Sequence, residues 1–536
     1  MSFYQLIQHA IEDTLGPSLS GFLPEMVICA TILLLLLAEI VFGSGRRTLP
    51  FLVMLVGSAA ALVAAVLPAV LGQDAAFSGL RFAAFTGMTV CDTLAVYLRT
   101  LLLGFATLFA LFTWTAGVPD RENATEFYVL VLGATLGMCL MVSANHMLIV
   151  FLGIEMASVP SYALAGLQKN RRHSSEAALK FAVFGGGTAG VMLYGISLLV
   201  GVLGSAHLPT MATQLAALLG DPAAADRHVV LALGGLMIMV GLAFKLSAVP
   251  FHFWAPDVFE GATAEVGAFL SIASKVAALG LLVRLALGLG YAPTAEQLAA
   301  LAPARGYMAG LIALLAAVTC TFGNLAAYGQ TNMKRFLAYS TIAHAGYMMM
   351  PVAAAVALLG ASAEAARQAV AALGFYAAVY LFMNLGAFAF VAYLRNALGS
   401  EEIADYAGLV RRSPGLAICL AVILFSLVGL PPLAGFSAKF SIFAALANWP
   451  AGKVNVLLLA LLVVGVLNSV LSLFYYLRVV RVTTFQPEPE HRPAPTIPIR
   501  SVPGAVCLVL TAPLVVLFFF ADGLLSWAAA AASSMF

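Results

Sequence analysis

The residues most able to do chemistry in this chain are single ionisable side chains inside long apolar runs. Glu155 lies in FLGIEM, Lys275 in SIASK and His344 in YSTIAH. Lys245 and Lys439 each lie close to prolines, in AFKLSAVPFHFW and GLPPLAGFSAK. A charged side chain at the centre of a membrane costs about 2.5–3.5 kcal/mol on insertion scales, so such residues predict a function rather than a packing role.

The balance of charges within this set indicates proton transfer. The three lysines are accompanied by a single central carboxylate, Glu155, so ion pairing cannot neutralise all of them. Burial disfavours a charged amine, and a buried lysine therefore releases its proton near neutral pH more readily than an exposed one. Together with the histidine, these groups predict a proton relay. The alternative for Glu155 is a structural ion pair with one of the lysines.

The prolines beside two of the lysines predict interrupted helices. Proline has no N–H and collides with the carbonyl four residues earlier. Pro250 is expected to free the carbonyl of Leu246, and the double proline at 431–432 those of residues 427 and 428. A freed carbonyl inside a membrane needs a partner, so broken helices occur where protein or water lines a cavity. Each break, with its lysine, predicts a hydrated pocket halfway across the membrane.

Three further ionisable residues are weaker candidates for the same pathway. Lys180 and Lys334 lie near predicted helix ends, where a side chain that extends to water explains them as well as proton transfer does. His252 follows Pro250 closely and is explained equally well by a position at a helix end.

The elements that must position these residues are membrane-spanning helices. Of 536 residues, 62% are hydrophobic and 9% are charged, whereas soluble domains have roughly 25% charged residues. Since about 20 apolar residues span a bilayer, the sequence predicts an all-α polytopic membrane protein. About fourteen transmembrane helices are predicted, at 22–43, 49–72, 90–116, 127–144, 146–167, 177–203, 229–253, 265–290, 306–328, 335–357, 367–396, 415–447, 454–484 and 501–528.

The order of the spans predicts two inverted five-helix repeats. Spans four to eight and nine to thirteen each form a block whose fourth helix contains a proline break and a lysine. Because five is odd, the second block would be inverted relative to the first, as in many transporters. The predicted organisation is three N-terminal spans (1–126), the first repeat (127–290), the inverted second repeat (306–484), and a cytoplasmic loop with the last span (485–536).

Two patterns that look like cofactor motifs predict none in this chain. GGGTAG at 185–190 fits GxGxxG, but it lies inside a span rather than between a strand and a helix, so helix packing through Gly186 and Gly190 is predicted instead. The six cysteines are scattered singly without a CxxC pair, which predicts neither an iron–sulfur cluster nor a disulfide framework. No cofactor-binding or metal-binding residues are predicted.

The stretches that carry these residues resemble a known family. FLGIEMASVPSYALAG, FKLSAVPFHFWAPDVFEGA, FLSIASK, NMKRFLAYSTIAHAGY and GLPPLAGFSAKF resemble the antiporter-like membrane subunits of proton-pumping NADH–quinone oxidoreductase, respiratory complex I. The wording PFHFWAPDVFEG and the lysine at 439 are similar to the subunit N group of that family rather than to the subunit M and L groups.

The resemblance implies a proton-translocating subunit that has no redox chemistry of its own and is driven by quinone reduction elsewhere in the complex. Lys245 and Glu155 would form a charge-coupled pair. Lys275 and His344 would pass protons laterally, and Lys439 would serve the other half-channel. The alternative is a large subunit of a multi-subunit cation/proton antiporter, whose broken helices carry similar lysines. A structural scaffold is a third hypothesis.

The resemblance also implies a setting for the chain. NADH, FMN, iron–sulfur clusters and quinone would be bound by other subunits. The neighbours would be the antiporter-like subunit M and small membrane subunits such as K and J, in the bacterial cytoplasmic (inner) membrane. No nucleic-acid partner is expected.

One stretch departs from the family pattern. Where the family commonly has GAPTP, this chain has GATAE, ending at Glu265. Glu265 is interpreted either as a first-turn acid favoured by the helix dipole or as an extra proton collector on the cytoplasmic side.

Basic residues predict the orientation of the chain, because cytoplasmic loops are enriched in lysine and arginine. Fifteen lie in loops on the side of the first loop: Arg46, Arg47, Arg121, Lys169, Arg171, Arg172, Lys334, Arg335, Arg395, Arg411, Arg412, Arg478, Arg481, Arg492 and Arg500. Five lie in the opposite loops: Arg81, Arg227, Arg305, Arg367 and Lys453.

We therefore expect the first loop and the loop 169–173 in the cytoplasm, with both termini on the outer, periplasmic side. A reporter fused to the C-terminus that is active only in the cytoplasm should be inactive. Activity of that fusion would contradict the predicted orientation.

Overall fold

The protein is described here from a computed structural model. It covers residues 4, 8, 11–43, 45–71, 81–120, 122–168, 170–450, 454–489 and 496–535. Four basic residues used above for orientation, Arg121, Lys169, Lys453 and Arg492, lie outside these ranges, as does the side chain of Arg81.

The described chain is a helical bundle with one short β-hairpin. The hairpin pairs β1 (Arg81–Ala84) with β2 (Thr89–Asp92), antiparallel. The helices are α1 (Leu19–Gly21), α2 (Leu23–Phe42), α3 (Thr48–Leu71), α4 (Thr93–Ala116), α5 (Ala124–Val142), α6 (Met147–Ala165), α7 (Arg172–Leu203), α8 (Leu208–Gly220), α9 (Ala225–Leu246), α10 (Trp254–Gly261), α11 (Ala264–Gly290), α12 (Ala295–Ala300), α13 (Ala302–Ala327), α14 (Met333–Leu358), α15 (Ala363–Leu398), α16 (Leu409–Arg412), α17 (Pro414–Val428), α18 (Ala434–Ala447), α19 (Val456–Phe485), α20 (Val502–Phe519) and α21 (Asp522–Ser533). A π-helical segment at Thr14–Ser18 and 3₁₀ turns at Pro222–Ala224 and Ile403–Tyr406 accompany them.

The helical architecture matches the predicted polytopic class. Within the described ranges, thirteen helices are long and apolar enough to cross a membrane. The remaining predicted span, 415–447, is divided into the two shorter helices α17 and α18. The repeat relation between 127–290 and 306–484 remains a prediction.

Three helices form the core of the bundle. In α11, α14 and α15, 94% of the residues in the apolar 18-residue stretch that could span a membrane are buried. The corresponding share is 28% in α7 and α19, which lie at the periphery. Lys275, His344 and Asn384 lie on these three core helices and are themselves buried. The core is therefore where polar side chains are removed from both water and lipid.

Both predicted helix breaks are present, but the first continues differently from the prediction. After α9 ends at Leu246, seven residues without α-helical structure lead into α10. The predicted span 229–253 missed α10, because apolar length alone does not detect a short helix with two acids, Asp257 and Glu260. The second break separates Val428 from Ala434, as the double proline predicts.

Other prolines do not break helices, although the same local rule applies to them. Pro160, Pro351 and Pro513 lie inside the continuous helices α6, α14 and α20. Predicted boundaries also differ near the ends of the chain, since 501–528 is divided into α20 and α21. The loop predicted after 203 contains the amphipathic helix α8.

Within the described chain, only one glycine of the GGGTAG stretch packs closely against another helix. A Cβ at Gly185 would meet Tyr162 of α6, whereas Gly186 and Gly190 have no neighbouring atoms within 4 Å of that position. The prediction that Gly186 and Gly190 pack helices is therefore wrong within this chain, because α7 turns that face outward.

Two buried ion pairs fasten the N-terminal helices at one end of the bundle. We call this end, where α4 and α6 begin and α11 ends, the Arg284 face. Arg99 lies 2.7 Å from Glu25 and also donates to the Gly21 carbonyl at 3.1 Å. Arg284 binds both carboxylate oxygens of Asp92, at 2.5 and 2.8 Å. All four side chains are buried, so Glu25 and Asp92 are carboxylates inside the bundle that the sequence analysis missed.

Breaking the Glu25–Arg99 pair should destabilise the bundle strongly. Arg99→Leu leaves a buried carboxylate without a counter-charge, which costs about 3–5 kcal/mol. The double variant Glu25→Leu with Arg99→Leu should recover much of that loss, as measured by the melting temperature of the detergent-purified protein. Equal losses in the single and double variants would show that the pair is not the source of the stabilisation.

Candidate functional site

The first helix break is built around Lys245, in the last turn of α9. Ser247 caps α9 in a left-handed conformation, with φ of 56°. The indole of Trp254 donates to the carbonyl of Phe244 at 3.0 Å, and the N–H of Val249 donates to Thr319 of α13 at 3.0 Å. These two backbone groups at the break are thus paired inside the protein, as a chain in lipid requires.

Lys245 itself is almost completely buried and points toward α6. Its ammonium donates a short hydrogen bond to the hydroxyl of Ser158, one turn from Glu155. The rings of Tyr162 and Phe244 lie with their centroids 5.7 Å from the same nitrogen. A desolvated cation gains from aromatic faces at this distance, so the pocket holds an ammonium without a directly bound carboxylate.

Glu155 and Lys245 are neighbours that act on each other electrostatically, but no ion pair joins them. Glu155 is partly exposed on α6, and its Oε1 atom has no hydrogen-bond partner among the described residues. The Lys245 ammonium instead donates to Ser158, one turn after Glu155 on α6. The structural ion pair considered in the sequence analysis is therefore absent from the described chain.

Lys275 of α11 binds the other side of the same break. Its ammonium donates to the hydroxyl of Ser247 at 2.7 Å and lies 4.9 Å from the Trp254 ring centroid. The side chain is fully buried. Because Ser247 caps the C-terminal end of α9, both Lys245 and Lys275 lie at the negative end of that helix dipole.

The second break binds Lys439 in a similar way. The Lys439 ammonium donates to the carbonyl of Val428 at 2.9 Å, one of the carbonyls that the double proline was predicted to free. The ring centroid of Tyr347 lies 4.4 Å away. Gly435 begins α18 so close to Ser426 that a larger residue would collide with that backbone. Here too an ammonium rests on the C-terminal end of a helix that stops inside the bundle.

His344 connects the core helices to α19. Its Nδ1 lies 2.5 Å from the hydroxyl of Tyr376, and its Nε2 lies 3.2 Å from that of Tyr476. The Tyr476 hydroxyl also lies 2.5 Å from Ser340. Lys439 is close enough to act on the imidazole electrostatically.

Asn384 spans the interval between Lys275 and His344. Its amide nitrogen lies 3.4 Å from Ser271 and 3.5 Å from Thr341, at the outer limit of hydrogen bonding. Ser271 is one turn before Lys275, and Thr341 is one turn before His344. The structure therefore brings the five predicted residues, on α6, α9, α11, α14 and α18, into one polar region of the bundle. All but the partly exposed Glu155 are buried. We call these residues, together with the polar side chains between them, the central file.

The weaker candidates lie outside the central file. At the end of the bundle where α7 and α14 begin, which we call the Arg335 face, Lys180 pairs with Asp257 at 2.7 Å and Lys334 with Glu401 at 2.8 Å. Arg335 binds Asp257 at 2.9 Å from the opposite side.

His252 lies within the first break, where it is buried between aromatic rings. The ring centroids of Phe253 and Phe322 are each 4.4 Å from that of His252. Its Nδ1 has no hydrogen-bond partner among the described residues. The structure therefore gives His252 an apolar setting rather than a bond to the central file.

Glu265 is a buried first-turn acid of α11, paired with Arg395 at 3.1 Å. Thr263 caps the helix just before it. A fully buried, paired carboxylate fits the helix-dipole interpretation and does not fit an exposed proton collector.

The sequence analysis missed the neutral members of the file. They are buried hydroxyl and amide side chains. Ser158, Ser271, Thr341 and Tyr347 lie on the same helix as one of the five predicted residues, whereas Ser247, Tyr376, Asn384 and Tyr476 do not. The available signal was their spacing. Ser158 lies three residues after Glu155, and Tyr347 lies three residues after His344. Residues at that spacing lie on one helix face.

No group of three or more His, Cys, Asp or Glu side chains is placed to hold a metal ion within the described ranges. The six cysteines are unpaired there.

The chain is similar to characterised proteins over nearly its whole length. Residues 144–472 match the family described as "NADH:quinone oxidoreductase/Mrp antiporter, TM". NADH-quinone oxidoreductase subunit N 2 of Sorangium cellulosum is 40% identical over 509 residues, which cover 93% of this chain and 94% of that protein. NADH-quinone oxidoreductase subunit N of Rhodospirillum rubrum is 36% identical over 537 residues, covering 99% and 98%.

Solved structures share the fold of this chain. A chain of respiratory complex I from Thermus thermophilus with bound aureothin superimposes with a TM-score of 0.71 at 30% identity, covering 94% of this chain and 98% of that one. A chain of the Mrp complex from Dietzia sp. superimposes with a TM-score of 0.77 at 19% identity, covering 97% and 98%, which shows a shared fold alone.

The hydrogen bond from Lys245 to Ser158, one turn after Glu155, leads to a test of the coupling between Glu155 and Lys245. Neutralising either charge should impair proton translocation, and the double neutralisation should cost clearly less than the sum of the two single losses. Ser158→Ala should weaken that coupling, because it removes the hydroxyl that holds the ammonium beside Glu155. The measurement is a double-mutant cycle on proton translocation by membrane vesicles. Simply additive losses would show that the two charges act independently.

Proposed function

The chain belongs to the NADH:quinone oxidoreductase/Mrp antiporter family, within the subunit N group, and on that premise we propose that its central file is the proton pathway. A proton-translocating membrane subunit of NADH–quinone oxidoreductase is the function that its relatives support. The observation that carries the assignment of residues is the set of hydroxyl, amide and carbonyl groups that lie beside the buried Lys245, Lys275, His344 and Lys439.

In this proposal each ammonium is held by dipoles instead of by a fixed counter-ion. Carbonyls and hydroxyls at the ends of α9 and α17 stabilise a charged lysine, but they do not force it to stay charged. A carboxylate bound to each lysine would hold the proton too firmly for transfer. The lysines can therefore change protonation state during a cycle.

Glu155 would act as the element that responds to events in the neighbouring subunits. An opposite charge within about 4–6 Å favours the charged form of a lysine. When a redox-driven change draws Glu155 away or neutralises it, Lys245 loses that support and releases its proton toward Lys275. A neutral Lys275 amine accepts that proton and becomes the ammonium, so the positive charge moves from Lys245 to its neighbour Lys275.

Lys275 and His344 would carry the change laterally through Asn384 to Lys439. The imidazole can accept a proton on one nitrogen and release one from the other, with Tyr376 and Tyr476 orienting it.

The same premise supports a wider setting for the chain. We propose subunit M and small subunits such as K and J as its neighbours, in the bacterial inner membrane with both termini outside. NADH, FMN, iron–sulfur clusters and quinone would be bound elsewhere in the complex. We also propose that 127–290 and 306–484 are inverted repeats, supported by a helix that stops inside the bundle beside a lysine in each.

A cation/proton antiporter subunit is the less supported alternative, since the Mrp likeness is one of fold alone. A purely structural scaffold predicts that neutralising the central lysines leaves proton translocation intact.

Lys245→Arg and Lys439→Arg separate charge from protonation. Arginine keeps the positive charge but stays protonated in proteins, so both variants should assemble normally and lose most proton translocation. The measurement is the pH gradient formed by membrane vesicles at matched content of the complex.

Lys180→Arg is the matched control. Its lysine is held in ion pairs with Glu176 and Asp257, which need charge alone, so this variant should translocate protons normally. Near wild-type translocation by Lys245→Arg and Lys439→Arg would overturn the relay and leave the lysines as structural counter-charges.

A further inference from the structure

A second buried polar cluster lies between α13 and α19, outside the central file. The Asn324 amide nitrogen donates to the Asn468 amide oxygen at 3.1 Å, and the Tyr475 hydroxyl donates to the Asn324 oxygen at 2.9 Å. The Asn468 nitrogen donates to Thr321 at 3.0 Å. Asn324, Asn468 and Tyr475 are each at most 3% exposed. We call these four residues the Asn324 cluster.

One end of the Asn324 cluster lies near the Arg335 face. Asn324 is in the last turn of α13, and the ring of Tyr475 meets that of Tyr328, just beyond the helix end, at 5.7 Å between centroids. Tyr328 is 36% exposed, and its carbonyl accepts from Arg478 at 2.5 Å. The Asn324 cluster therefore ends, at Tyr475, one aromatic ring away from a partly exposed side chain.

The other end of the Asn324 cluster leads to Lys439. Asn324 also donates to the sulfur of Cys320, one turn deeper in α13, at 3.6 Å. On α19, Ser469 follows Asn468 and donates to the hydroxyl of Tyr347 at 3.3 Å. The ring of Tyr347 is the one against which the Lys439 ammonium lies. The cluster thus connects the Arg335 face to the lysine of the second break.

Helix association alone explains this arrangement incompletely. One amide pair between two helices contributes modestly in membranes, by about 0.6 kcal/mol on average. The cluster instead combines two amides and two hydroxyls from two helices, and its neighbours Cys320, Ser469 and Tyr347 continue toward Lys439. Its neutral amides and hydroxyls both donate and accept hydrogen bonds, as needed to hold water molecules in a row.

We propose that the Asn324 cluster is the entry through which Lys439 exchanges protons with the solution at the Arg335 face. A proton from that solution would pass along water held by Tyr475, Asn324 and Asn468 and convert the neutral Lys439 amine to the ammonium, without changing any covalent bond in the cluster. This inference rests on the proposed function of Lys439. It adds an access route that does not pass through Lys245 or Lys275.

Two variants of the intact complex test the route. Asn468→Leu fills the cluster with an apolar side chain, and Tyr475→Phe removes one hydroxyl while keeping the ring contacts with Tyr328 and Tyr476. Each should lower proton translocation per assembled complex by about tenfold, the rate equivalent of losing one buried hydrogen bond from the route. The pH gradient and the NADH:quinone reductase rate are measured in vesicles at matched content of the complex.

Asn468→Ser distinguishes a route from helix association. Serine is too short to join Asn324 and Thr321, but it leaves space for water, so it should recover proton translocation relative to Asn468→Leu. If the cluster only fastens α13 to α19, both variants should reduce assembly alike, and each assembled complex should translocate protons normally.

Tyr97→Phe is the matched control, because it removes a buried hydroxyl that donates to the Gly374 carbonyl at 2.8 Å, outside both the file and the cluster. Normal translocation is expected for it. Normal translocation by Tyr475→Phe and Asn468→Leu, with Lys439→Arg inactive, would overturn this inference and leave the proposed function standing. Normal translocation by Lys439→Arg would instead overturn the proposed function.

Discussion

The structure depends on one constraint: an ammonium group removed from water needs polar partners that the bundle itself supplies. The bundle meets this need by ending two helices inside it, at Leu246 and Val428. At the end of α9, Lys275 binds the capping residue Ser247, and Lys245 lies in the last turn of the same helix. At the end of α17, Lys439 binds the carbonyl of Val428. Other features follow from this arrangement, including the indole of Trp254 on the carbonyl of Phe244.

Ion-paired side chains and ammonium groups with dipolar partners lie in different parts of the molecule. Full ion pairs lie toward the two ends of the bundle, where Arg284 binds Asp92 and Lys180 binds Asp257. Between them, the ammonium groups meet carbonyls, hydroxyls and rings. Ion pairs resist the loss of either charge, whereas dipolar partners tolerate both protonation states. The distribution therefore combines rigid ends with an interior whose charge can change.

The Asn324 cluster extends this distribution from the interior to the Arg335 face. At the Arg284 face, the polar groups near the end of α5 are occupied by Arg99 and Arg284, which bind Ser143 and the Val142 carbonyl. Just beyond the end of α13, Arg478 binds the carbonyl of Tyr328, but the groups deeper in the bundle are neutral amides and hydroxyls. Charges held in place exclude a mobile proton, and neutral groups that exchange hydrogen bonds permit one.

The sequence by itself determined the membrane class, the position of nearly every long helix, both helix breaks and the five charged residues of the file. These follow from apolar length, from proline and from the cost of a charge in lipid, all of which are local properties. The tertiary structure decided which polar groups each charge meets. It gave Ser158 rather than Glu155 to Lys245, buried Glu265 against Arg395, and left α14 continuous through Pro351. It also joined Asn324 to Asn468, 144 residues apart. Such pairings depend on which helices become neighbours, and a hydroxyl or amide gives no signal of its partner until the helices that carry them pack together.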